Sequence, residues 1–133
     1  VDPDTVFFAH RLRPQLQAQN IMGATDRAFF KNCRSYNSVQ GPLEVFTRAA
    51  ADAFLNSIDR CQAQAFMMEK GEDWFFDKCM EYIGSRAVEG FNLLEDQWCT
   101  RAKPSCGGTT AAFHPLKTTE GYGECVKTAR LHE

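Results

Sequence analysis

The chain has 133 residues and a net charge of −2, from 15 basic and 17 acidic side chains, so no global field draws it to nucleic acid or to an anionic membrane. A hydrophobic fraction of 44%, with eleven Phe, supplies enough apolar surface for one packed domain over residues 1–133. No apolar run approaches the ~20 residues needed to span a bilayer, so no membrane span is expected.

Helical periodicity dominates and strand signals are nearly absent, which predicts an all-α fold. Residues 4–20 read as a first helix, with Val6, Phe7, Leu12 and Leu16 as apolar contacts and Pro14 bending or dividing it. Thr25 and Asp26 offer an N-cap and an acidic first turn to a second helix reaching Asn37, with Phe29, Phe30, Cys33 and Tyr36 turned inward. Gly41-Pro42 is a break, and Pro42 suits a first helical position. From there Leu43, Phe46, Ala50, Phe54, Ile58, Cys61 and Ala65 recur at steps of three or four, predicting a long amphipathic helix that ends at Lys70. Gly71 fits the position just past that end. Glu72 and Asp73 open another long helix, over 72–100, striped by Phe76, Cys79, Ile83, Ala87, Leu94 and Trp98 and weakened at Gly84 and Gly90. Residues 103–123 read as loop, and a short helix follows over 124–131. The expected architecture is a disulfide-stapled bundle of four to five helices built around two long antiparallel ones.

Six cysteines, Cys33, Cys61, Cys79, Cys99, Cys106 and Cys125, form an even set without the Cys-x-x-Cys spacing of zinc or dithiol redox sites. Three disulfides and an oxidising compartment are therefore expected, against a competing reading of buried free thiols in a cytosolic helical protein. The missing initiator Met and signal-peptide pattern read as a secreted, extracellular chain after cleavage. No Asn-x-Ser/Thr sequon occurs, so N-glycosylation is not expected. With a hairpin turning at Gly71 and a rise of about 1.5 Å per residue, Cys61 and Cys79 come level on facing stripes and make the favoured pair. The same heights favour Cys33 with Cys99 and leave Cys106 for Cys125. These last two pairs depend on the helices packing side by side rather than crossed.

The chain also echoes itself. Residues 29–36 read Phe-Phe-Lys-Asn-Cys-Arg-Ser-Tyr and residues 75–82 read Phe-Phe-Asp-Lys-Cys-Met-Glu-Tyr. Phe, Cys and Tyr at these steps would line one helical face, so the echo reads as a twofold internal repeat with halves 25–70 and 71–106 and a C-terminal extension over 107–133. Coincidence within an aromatic-rich core is the alternative. Two spaced Cys–Tyr–Cys arrangements resemble the bicycle proteins of aphids, the matching residues being Cys33, Tyr36 and Cys61, then Cys79, Tyr82 and either Cys106 or Cys99. The resemblance implies an effector made in an insect salivary gland that acts on a plant-host protein. It carries over no catalytic residue, and the segment from 107 onward has no counterpart in the pattern.

No catalytic constellation stands out. His10, His114 and His132 are far apart, and a phosphate-cleaving site of His10, His114 and Lys117 would need them to converge in the fold. Gly107-Gly108-Thr109-Thr110 lacks the lysine and strand context of a phosphate loop and reads as a connector. Glu69, Glu72, Asp73 and Asp77 cluster near the Gly71 turn, where helix starts commonly carry acids, so no metal and no cofactor is expected. Phe66, Met67, Met68, Trp74, Phe75 and Phe76 crowd the same turn. Exposed, they would form a partner surface; buried, a second packing layer. The expected function is a secreted, non-enzymatic effector that binds a host protein. The alternative is an extracellular carrier of small hydrophobic ligands, similar to insect odorant-binding proteins, although the 17 residues between Cys61 and Cys79 depart from their closer cysteine spacing.

Overall fold

A computed structural model describes residues 1–133 and shows an α/β fold in place of the expected all-α bundle. In chain order the elements are β1 (Val6–Phe7), α1 (Ala9–Gln17), β2 (Ala28–Lys31), a 3₁₀ turn at Gly41–Leu43, α2 (Arg48–Leu55), α3 (Ile58–Gln62) and a second 3₁₀ turn at Ala65–Met68. Then follow α4 (Glu72–Tyr82), β3 (Arg86–Glu89), β4 (Leu94–Asp96), α5 (Gln97–Thr100), β5 (Ala112–His114) and α6 (Thr119–Arg130). One sheet has the order β1-β5-β4, with β1 antiparallel and β4 parallel to β5. The other is a parallel pair of β2 and β3, with Phe29 opposite Ala87 and Phe30 opposite Val88.

The second expected helix fails because its apolar run is covered on both sides. Ala28 and Phe30 pack with Leu43, Val88, Leu93, Leu94 and Ala112, while Phe29 packs with Val39, Ala50, Phe76 and Met80. A strand presents alternate residues to opposite faces and so fills two cores at once. The long helix over 42–70 is broken for a related reason. Residues 45–47 run extended along the free edge of β2, where the Phe30 amide donates to the Val45 carbonyl (2.9 Å) and the Thr47 amide to the Ala28 carbonyl (2.9 Å). Thr47 then caps α2, its Oγ1 accepting from the amides of Ala50 (3.2 Å) and Ala28 (3.1 Å).

The helix expected over 72–100 stops at Tyr82. Gly84 takes a left-handed conformation (φ 77°), the Ser85 amide returns to the Met80 carbonyl (2.9 Å), and the chain leaves as β3. The region read as loop over 103–123 contains β5 and the first turn of α6, whose N-cap is Thr118. The first helix is shorter than expected and contains Pro14. The two echoing octapeptides adopt different structures: 29–36 is strand then turn, whereas 75–82 is helix, so the chain has no twofold structural repeat. Tyr36 and Tyr82, expected on inward faces, are both exposed.

Three disulfides join Cys33 to Cys99, Cys61 to Cys79 and Cys106 to Cys125. Only the Cys61–Cys79 bond sits in the expected setting, between two helices flanking Gly71. The Cys33–Cys99 bond instead ties the turn after β2 to α5, and Cys106–Cys125 ties a loop to α6. Three such bonds in so small a domain are consistent with an extracellular protein. No helix is long and apolar enough to cross a membrane.

Candidate functional site: an aromatic cleft with two carboxyls

Helices α2, α3 and α4 do not close on one another completely. They leave a cleft of about 490 Å³ lined by Phe46, Ala51, Phe54, Leu55, Ile58, Phe75 and Phe76, with Glu44 and Glu72 as its two charged lining residues. That volume lies within the ~300–1,000 Å³ usual for small-molecule sites. The wall is a chain of rings in mutual contact. Phe76 meets Phe46 (5.2 Å between centroids), Phe54 (5.4 Å) and Phe29 (6.3 Å), and Phe54 meets Phe75 (6.0 Å). Such edge-on and tilted contacts hold the rings by quadrupole complementarity as well as by burial. Behind them the Cys61–Cys79 bond, covered by the fully buried Met67, fixes α3 against α4.

The partner surface expected from sequence divides. Phe66 (47% exposed) and Met68 (57%) lie at the surface, and Phe75 lines the cleft. Met67 is not on the surface at all; it seals the disulfide. Trp74 is held by its indole Nε1, which donates to the Phe66 carbonyl (3.2 Å), and by the ammonium groups of Lys70 and Lys78 over its ring (3.9 and 5.0 Å). Leu55, 65% exposed beside the cleft, and Glu44 were outside the expected set. Leu55 lies one residue off the helical stripe, and Glu44 carries no sequence signal. A second, smaller hollow of about 230 Å³ shares Phe75 and Glu72 with the cleft and is also lined by Met67, Met68 and Lys70.

Glu44 is electrostatically unusual. Burial and then the adjacent Glu72 carboxyl push its pKa up to about 7. Its Oε1 is buried and has no hydrogen-bond partner. The other expected acids have separate roles: Asp73 accepts from the Trp74 amide (2.7 Å), Asp77 is fully buried near Lys31 and Lys78, and Glu69 is exposed.

The histidines do not assemble around a common centre. His10 faces Glu133 (3.0 Å), whereas His114 is held at both ring nitrogens, Nδ1 by Asp96 (2.6 Å) and Nε2 by Asp4 (3.4 Å). Lys117 also pairs with Asp4, so Asp4 joins His114 and Lys117 in a clasp between the N-terminal segment and the β5–α6 region. Asp2, Asp4 and His114 place one ligand atom each within 4.8 Å of one another, but Lys117 already supplies the cation there. A further hollow of about 460 Å³, near Trp98 (72% exposed), Tyr36 and Arg101, is shallower in apolar character than the α2–α4 cleft.

Comparison with protein-family models, curated proteins and solved structures finds no match to this chain.

Proposed function

We propose that this is a secreted, non-enzymatic binding protein that takes a small hydrophobic ligand into the α2–α4 cleft. The observation that carries this reading is the continuous phenylalanine wall around about 490 Å³ of open space. The three disulfides support an extracellular setting and a cleft whose walls hold their spacing. A ligand of about 20 non-hydrogen atoms, at about −0.3 kcal/mol per atom, would bind with a Kd of some tens of micromolar.

Exposed Phe66 and Met68 beside the smaller hollow favour a second reading, an effector that anchors a host protein, as the likeness to bicycle proteins implies. Displacement of a fluorescent naphthyl dye from the oxidised protein separates the two. The carrier reading expects saturable displacement by apolar ligands, abolished by Leu55→Asp together with Phe75→Ala and retained in Phe66→Ala/Met68→Ala. Failure of the wild-type protein to bind the dye or any apolar competitor would refute the carrier reading.

A further inference from the structure

We infer that the ligand of the cleft is a hydrophobic amine, its ammonium seated between Glu44 and Glu72 and its apolar body against Phe54, Phe75 and Phe76. This inference rests on the cleft reading above and adds the chemistry of the ligand's polar end.

This chain supplies its other clustered carboxylates with partners. Asp77 has Lys31 and Lys78 beside it, and Glu81 holds the same two ammonium groups. Asp96 accepts from two backbone amides of α5 and faces His114, and Asp4 holds Lys117. Each has a cation or donor of its own. Glu44, half-buried, has the carboxyl of the exposed Glu72 beside it at the rim of a cleft whose lining contains no Lys, Arg or His. Two carboxylates so placed repel, and the resting pair relieves that by retaining a proton. An ammonium ion seated in the cleft supplies positive charge between the two carboxyls, where the α-ammonium of Val1 offsets Glu44 only in part, and three N–H donors for oxygens that include the unpartnered Glu44 Oε1. Charge complementarity therefore selects a cation over an acid or an alcohol of the same shape. The rings beside it then select an apolar or aromatic body, and their faces attract the same cation.

Seating the ammonium expels the retained proton to solvent, so the charges balance: one proton leaves for each amine that binds below neutral pH, and none leaves above it. The groups that face Glu44 are Glu72 and Asp73 from α4 and the α-ammonium of Val1. Of these, the two acids reinforce cation binding and the α-ammonium opposes it.

The test uses the oxidised full chain with 4-phenylbutylamine, 4-phenylbutanol and 4-phenylbutyrate, by titration calorimetry near pH 8.5 and near pH 6 in two buffers of different ionisation enthalpy. The amine stays protonated at both values. Expected near pH 8.5 is amine binding about tenfold tighter than alcohol binding, with the carboxylate weakest; that ratio corresponds to ~1.4 kcal/mol. Near pH 6 the preference shrinks, and the enthalpy differs between buffers by close to one proton. In Glu44→Gln/Glu72→Gln the ratio of amine to alcohol affinity falls to about one. Equal binding of amine and alcohol by the wild-type protein at both pH values, or no buffer dependence near pH 6, overturns the amine inference while leaving the cleft reading intact. Binding of none of the three, nor of the naphthyl dye, overturns the cleft reading itself. The wild-type titrations decide the matter even if the double variant fails to fold.

Discussion

Arg11 lies on a short helix among other charged and polar residues, yet its guanidinium is buried. It donates to the carbonyls of Gly108 (3.2 Å), Thr110 (3.1 Å) and Ala129 (2.6 Å), and its plane lies 4.5 Å from the Phe8 ring centroid. One side chain thereby satisfies three backbone oxygens drawn from the C-terminal third of the chain. Arg11→Ala removes the donors to all three carbonyls, of which Ala129 alone keeps a backbone partner in the His132 amide (3.1 Å), so we expect a loss of about 2–4 kcal/mol in urea unfolding. Arg11→Lys should recover little, because a point ammonium cannot span the three acceptors. Nothing in the sequence distinguishes Arg11 from the solvated Arg13 two residues on. Asp77 gives a second case. Burial outweighs Lys31 and Lys78 and raises its pKa, which means that its charge costs more to bury than the two cations return. Lys31→Met should therefore destabilise by about 3 kcal/mol, and the same substitution in an Asp77→Asn background by less than about 1 kcal/mol, as a double-mutant cycle would record.

At the scale of elements, the helical patterns were legible where the helices are amphipathic and misleading where a strand is buried on two sides. The α4 stripe of Phe76 and Cys79 survives as read, and Gly71 does precede that helix. Phe29-Phe30 could not be assigned from periodicity, because a three-residue apolar run fits one helical turn as well as a two-sided strand. Its partner β3 is 55 residues away or more, so nothing local announces the pairing. The cleft was half legible: Phe75 and Phe76 were identified near the turn, whereas Glu44, on the extended approach to α2, became part of it only through the chain reversal along β2. Gly84 is the residue on which the end of α4 turns. A side chain there meets no neighbour but would occupy the left-handed region, so Gly84→Ala should cost about 1–2 kcal/mol by thermal unfolding, with the cleft unaltered.

Across the whole molecule, Glu44 ties stability to pH. Its pKa is raised from 4.5 to about 7 on folding, so the folded state holds a proton that the unfolded chain has lost. The contribution is fully present below pH ~4.5 and disappears as pH rises through about 7. At about 1.4 kcal/mol per unit, and allowing for solvent screening, the decline from pH 5 to pH 8 should be of order 1–3 kcal/mol. Glu44→Gln should flatten that slope and stabilise the protein at pH 8. Chemical unfolding of both proteins at the two pH values checks this, and parallel curves would contradict it.

The Cys33–Cys99 bond, with a sequence separation of 66, encloses every residue that lines the cleft, and the Cys61–Cys79 bond lies inside the same loop. A digestive enzyme that severs the chain once between those outer cysteines therefore produces two fragments that remain one covalent body. Such a nick would be invisible on a gel until a reductant is added. The molecule is in this sense built to keep its binding walls together after being bitten.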